Sequence, residues 1–268
     1  MGQLTERRHF PAETLGLPAH SVFRPAQALP DGRVVVASDY GAVIFQGDDV
    51  TPFPFPKGAR KENRDIQSIA WAGGELHLIS SKNAFRWDGS DSVRARHFPK
   101  DGDGGYEELR LVFESPDGPI EAWRMHTVSA GQSHASKDLL SMATDGARIF
   151  TGSRCGELAL FQGQVLHQFD SEPIRHLHWA MGRLWIGAGG QLWSWKDSLV
   201  SHPGPPPFGL AGVPNERPWV LDPLGLHQLR EDGSREPMAR GIDQPWSLSV
   251  TPGQIWVGRR GGLIRWSL

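Results

Sequence analysis

An all-β fold made of repeated, short antiparallel sheets is predicted by three observations: the turn residues, the apolar runs and an internal period. The chain has 268 residues with 32 Gly and 21 Pro, and no window sustains apolar spacing at 3.6 residues over three turns, so long helices are not supported. The apolar runs are short, rich in Val, Ile, Trp and Phe, and interrupted by Gly or Asp-Gly pairs, which reads as many strands joined by tight turns. One unit recurs: an apolar strand, a Gly-containing turn, a second strand often centred on Trp, another Gly turn, and a third strand with an aromatic residue near its end.

The copies begin at Ala26 (AQALPDGRVVVASDYGAVIFQGD), Gln67 (QSIAWAGGELHLISSKNAFRWDG), Leu139 (LLSMATDGARIFTGSRCGELALFQG), Arg175 (RHLHWAMGRLWIGAGGQLWSWKD) and Trp246 (WSLSVTPGQIWVGRRGGLIRWSL). A weaker copy begins at Gly209. Aligning the turns places Gly32, Gly74, Gly146, Gly182, Glu216 and Gly253 at one position, with spacings of 42, 72, 36, 34 and 37 residues. The double-length gap holds LRLVFESPDGPIEAWRM, whose turn is at Gly118. A unit of about 37 residues with four short strands is the signature of a β-propeller. Seven blades fit this spacing, and six with one long insertion is the alternative count. Both faces of each sheet are then buried, which is why RLWIG and QLWSW carry bulky residues at successive positions instead of alternating with polar ones.

The ring needs a closure. The second unit ends in VRARHFP, its outer fourth strand, and the N-terminus carries the same RHFP ending at Arg8–Pro11, while the last unit, 242–268, stops after its third strand. Residues 4–11 are therefore expected to complete the C-terminal blade and remove an exposed sheet edge, in a single domain spanning 1–268.

Residues 16–45 (GLPAHSVFRPAQALPDGRVVVASDYGAVIF), 182–195 (GRLWIGAGGQLWSW) and 253–266 (GQIWVGRRGGLIRW) resemble two-component regulator propeller repeats, and more loosely other bacterial propellers with a G-x-L-W-x-G core. The resemblance covers about half of the chain by motif and the rest by spacing. It implies the propeller fold and says little of activity. Such propellers usually form the extracytoplasmic sensor half of membrane-bound histidine kinases. The sequence lacks a leader, a spanning segment and a kinase motif, so the sensor role is not expected to carry over, whereas ligand or partner binding is.

Composition narrows the function further. A formal net charge of -2 argues against holding nucleic acid or an anionic membrane by bulk electrostatics. One cysteine, Cys155, permits neither an internal disulfide nor a thiolate zinc cluster. No uncharged stretch approaches the ~20 residues that span a bilayer, and a cytoplasmic, monomeric protein is expected. The excess of 22 Arg over 6 Lys suits a GC-rich bacterial source.

Several clusters could carry chemistry. His176 and His178, at i and i+2 on one strand, point to one side and could face the channel, with His126 or His77 as a third metal ligand or proton carrier; packing against Trp179 is the structural alternative. The segment TVSAGQSHASKD departs most from the repeat and gathers His126, Ser133, His134, Ser136, Lys137 and Asp138, but Ser, His and Asp close in sequence do not make a triad. Neither a G-x-S-x-G elbow nor a phosphate-binding GxxxxGK[ST] occurs. Lys57, Arg60, Lys61 and Arg64 form a basic loop, and KDGDGGYEE at 100–108 lacks the ligand spacing of an EF-hand. PGPPPFG at 203–209 reads as a rigid connector.

The leading expectation is a non-catalytic recognition module that binds a protein partner or a ligand on the face where each blade's first strand begins. The residues there are Arg24, Arg64, Asp65, Gln67, Glu108, Arg110, Lys137, Arg175, His176, Gln244 and Trp246. No cofactor is required by this reading. The alternatives are a propeller lyase or hydrolase using His176, His178 and His126 with a divalent metal, or a glycan-binding lectin using its tryptophans, with Trp246 and Trp71 as rim candidates.

Overall fold

The computed structural model describes residues 4–57, 64–80, 82–90, 93–97, 109–123, 126–129, 132–135, 138–170, 172–213 and 216–268, with the backbone alone described at 97, 110, 126–128 and 132–135. Its strands pair into seven four-stranded antiparallel sheets. In chain order they span 23–52, 66–97, 109–135, 139–168, 176–202, 209–239 and 245–267, the last completed by Arg7–Pro11, and are called blades 1 to 7. Each blade's first strand touches the first strands of both neighbouring blades, including Phe23–Ala28 against Pro245–Thr251, so the ring is closed. The fold is a single all-β propeller.

The aligned glycines do what their alignment requires. Gly32, Gly74, Gly146, Gly182 and Gly253 sit between the first and second strands of their blades, and Gly118 opens its second strand, all with φ from 68 to 105°, a region that glycine enters without steric cost. In blade 6 the equivalent connection, with Glu216, is longer, running from Ala211 to Trp219.

Burial follows the seams between blades. Val34–Ser38 and Arg183–Ala188 are buried at nearly every position, because neighbouring sheets cover both of their faces. Six apolar clusters straddle the described seams: Leu29, Val35 and Ile44 meet Ile66, Leu78 and Phe85 between blades 1 and 2, and Leu221 and Leu226 meet Ile255 and Ile264 between blades 6 and 7. At about 25 cal/mol per Å² of buried apolar surface, these seams are the main source of stability.

The closure joins the two ends as the repeated RHFP implied. Arg7–Pro11 pairs antiparallel with Gly262–Ser267, setting Arg8 opposite Arg265 and Phe10 opposite Leu263. Phe10 meets Phe45 of blade 1 edge-on at 5.2 Å. Arg265, only 6% exposed, stacks on Phe10 and Trp256 and donates to Gly47 O at 2.8 Å and Asp48 Oδ1 at 2.5 Å.

Two expectations change. The segment that departs most from the repeat still supplies a third and a fourth strand, His126–Ser129 and Gln132–Ala135; the two pair with each other, and the first also pairs with Gly118–Trp123: backbone pairing needs no apolar sequence. His176 and His178 do not pack on Trp179, which points to the other side of its strand and stacks on Phe150 at 5.5 Å and 6°.

Candidate binding site at the channel mouth

All seven first strands begin on one face of the ring, and five of them begin with the same irregularity. The pairing register shifts between Phe23 and Ala26, Ile66 and Ser68, Leu109 and Leu111, Leu139 and Ser141, and Pro245 and Ser247. A bulge inserts a residue without a partner and re-aims its side chain. The extra residues are Arg24 with Pro25, Gln67, Arg110, Leu140 and Trp246. All of these except Arg110, whose side chain lies outside the described residues, line one cavity of about 460 Å³ at the channel mouth.

The residue after the bulge anchors it. Ser141 Oγ donates to Ile174 O at 2.9 Å, and Ser247 Oγ donates to Phe23 O at 3.2 Å, each tying its blade to the backbone that leads into the next one. Room for that contact comes from the glycine opposite: a Cβ on Gly152 would stand 2.6 Å from Ile174 Cγ2, and one on Gly258 2.8 Å from Phe23 C. The second glycine of the G-x-L-W-x-G pattern is thus a close-approach position.

Blade 5 lacks the bulge and contributes Arg175 and His176 instead. His176 lies over Gly187, whose Cβ would meet its Cδ2 at 3.1 Å. Burial, with Arg175 adding to it, lowers the His176 pKa from 6.5 to about 4, and burial alone lowers His178 to about 4. Both rings are neutral at pH 7. His178, two residues further along the strand, does not line this cavity; its Nε2 has no partner among the described residues and lies where a Cβ on Gly212 would approach to 2.7 Å. No group of three or more His, Cys, Asp or Glu that could hold a metal occurs among the described residues.

The rim carries an exposed aromatic and two cations. Trp246 is 53% exposed, and Arg24 lies over its ring at 5.8 Å while reaching Asp65 Oδ1 at 3.4 Å. Arg175 is exposed, and no Asp or Glu occurs among the described residues lining the cavity. Trp246 also walls a second cavity of about 500 Å³ with His20, Asp39, Gln244 and Arg260.

Of the residues picked from the sequence, Arg24, Gln67, Arg175, His176 and Trp246 converge on the mouth. Arg64 instead lies over Phe55 at 5.2 Å, and Asp65 serves Arg24. Trp71 lines a cavity with Gly74 and Leu29 by the turn at the opposite end of its strand, and His77 is buried with Nε2 at 3.1 Å from Ala72 O, so neither joins the site. Lys57 is described, whereas Arg60, Lys61, Lys137, the loop at 100–108 and the side chain of His126 lie outside the described residues. Sequence reasoning missed Phe208, which lines the mouth from the proline-rich connector, and the His20–Tyr40 pair at 2.6 Å near the second cavity. The position of Phe208 directly before a first strand was the available signal.

No protein-family model matches the chain, and no curated protein matches it in sequence. Solved structures do match in fold. Virginiamycin B lyase from Staphylococcus aureus superposes with a TM-score of 0.74 at 10% identity, over 98% of this chain and 99% of that one. The extracellular domain of a hybrid two-component system from B. thetaiotaomicron gives 0.72 at 15% identity, over 98% of this chain and 39% of that one. YCF48 bound to D1 peptide gives 0.67 at 12% identity, over 98% and 97%. At such identities the likeness is one of fold.

Proposed function

We propose that this seven-bladed ring is a recognition module that takes an acidic, extended peptide segment of a protein partner at the channel mouth. One observation carries the reading: the repeated bulge aims Arg24, Gln67 and Trp246 from three blades at one cavity, to which blade 5 adds Arg175, with no carboxylate among its described lining. A rigid ring that spends an irregularity in blade after blade on the same rim presents a pre-organised surface. Arginine and tryptophan are the side chains that most often dominate protein interfaces. The apolar walls, Leu140, Leu177 and Phe208, suit side chains that flank the acidic groups.

Catalysis by the histidines is less well supported. An imidazole with a pKa of about 4 is a poor proton acceptor at neutral pH. The glycan reading rests on Trp246, since the other tryptophans are buried or half-buried in strands.

Panning a peptide library on the immobilised protein tests the proposal. Enriched sequences should carry Asp or Glu beside apolar residues, and Arg175→Glu should weaken the best of them at least tenfold. Enrichment of basic peptides, or binding untouched by Arg175→Glu, would overturn it.

A further inference from the structure

A second polar site lies on blade 6, away from the mouth. Asp222 ends the strand Trp219–Asp222, His227 lies in Gly225–Leu229 and Arg235 opens Arg235–Ala239. The pairings of Val220 with His227 and His227 with Pro237 put all three on one face of the sheet. Asp222 is fully buried, and His227 and Arg235 are each 8% exposed. Asp222 receives Arg235 Nη1 at 2.5 Å on one oxygen and His227 Nε2 at 3.0 Å on the other, and Arg235 Nη1 also donates to Pro205 O at 2.8 Å.

That leaves half of the guanidinium unused. Nε and Nη2 of Arg235 are buried with no partner among the described residues, as is Nδ1 of His227. Nε and Nη2 form the side-on fork of the guanidinium, two parallel N–H groups whose spacing matches a carboxylate. Leaving such donors buried and unmet is costly, so a ligand that supplies the missing acceptors is favoured. The backbone above approaches the group so closely that only glycine fits there. A Cβ on Gly204, at φ +141°, would stand 2.9 Å from Cζ, 3.1 Å from Nη2 and 3.2 Å from Nε. Being nearest to the central carbon, Gly204 covers the flat face of the group.

A cavity of about 590 Å³ lies against these groups. Pro203, Pro205, Leu224 and Pro237 give it apolar walls, and Arg240 adds a second cation. Two guanidinium ions against one carboxylate leave a single positive charge among the described lining residues. We infer that this cleft is a binding site for a small monocarboxylate with an apolar body, its carboxylate seated on the Nε–Nη2 fork of Arg235. A phosphate dianion would carry excess charge beside Asp222 and would find apolar walls.

Benzoate and its uncharged isostere benzamide, titrated calorimetrically into the full chain, test this. Benzoate is expected to bind at least tenfold more tightly than benzamide. Arg235→Lys keeps a cation for Asp222 and removes the planar fork, so benzoate affinity should fall at least tenfold with benzamide unchanged. Gly204→Ala, which sets a methyl on the guanidinium, should act in the same direction. Arg175→Glu, at the mouth, should leave benzoate binding unchanged. Should either variant not fold, the ¹⁵N shifts of the Arg235 Nε and His227 ring in the wild type must still move with benzoate and not with benzamide. Equal binding of the two probes, wild-type affinity in folded Arg235→Lys, or loss of benzoate binding in Arg175→Glu would overturn the assignment.

Discussion

The arginines of the blade seams and those of the channel mouth live under different rules. Arg265 is sandwiched between Phe10 and Trp256 and ends on Gly47 O and Asp48, and Arg235 reaches a fully buried Asp222. At the mouth, Arg175 is exposed beside a cavity whose described lining holds no carboxylate, and Arg24 meets Asp65 only at 3.4 Å. A cation withdrawn from water must bring its counter-ion with it, whereas a cation facing a cavity stays available for a ligand's charge. On this account the seam arginines carry stability through the groups paired with Asp48 and Asp222, Arg235 keeping only its Nε–Nη2 edge for a ligand, whereas the mouth arginines would carry the proposed recognition, and each half of that contrast can be tested.

The largest stability effect is expected at Asp222. Asp222→Ala strands Arg235 in the seam and should cost ~3–5 kcal/mol in urea unfolding, while Asp222→Asn, which still accepts hydrogen bonds, should cost less. An effect below 1 kcal/mol would mean that the seam pairs are dispensable and would dissolve the contrast.

Acid should act next. His176 and His178 titrate near 4 when folded and near 6.5 when unfolded. Between those values the unfolded chain binds more protons, so stability is fully present above 6.5 and is lost as pH falls towards 4, by an amount on the order of 1–3 kcal/mol per ring. Burial alone would raise the Asp222 carboxyl, but hydrogen bonds from His227 and Arg235 outweigh it and hold the pKa below 3.8. The stability it contributes is present above 3.8 and lost on further acidification, so the decline continues below pH 4. Melting temperature against pH reads both effects, and His178→Leu should flatten the slope between pH 6.5 and 4.

At the ring closure, Arg265→Ala should cost ~1–3 kcal/mol through lost stacking and packing on Phe10 and Trp256. Asp48, 54% exposed between Arg8 and Arg265, is the smallest case. Its carboxyl is held low by hydrogen bonds from Arg265 and then Arg8. Asp48→Asn should leave the melting temperature unchanged at physiological salt, because exposed pairs are screened. A clear drop would show that the charge at this seam matters more than its buried stem.

Much of this fold was legible because its determinants are local. Each Asp-Gly or Gly-Gly turn between first and second strands forces a positive φ that the sequence displays as a glycine, and the closure was readable because Arg8–Pro11 repeats the ending of the second unit. The third strand of blade 3 was hidden because backbone ladders accept polar residues such as His126 and Thr127. At the mouth, the residues opening each first strand were identifiable, yet the bulges that turn them inward were not, since a register shift leaves no mark in composition. The Asp222–His227–Arg235 cluster escaped for a related reason: its members are spread over three strands of the weakest repeat. Placing the tight turn at Asp222–Gly225 would have set Val220 opposite His227, and with it Asp222 on the same face.

The most direct test of the recognition account is calorimetric titration of the best acidic peptide into wild-type protein and into Arg175→Glu, with melting temperatures recorded alongside. The account predicts at least a tenfold loss of affinity with stability within ~0.5 kcal/mol of wild type, as expected for an exposed surface position. Unchanged affinity in a folded variant would contradict it and move recognition away from the mouth.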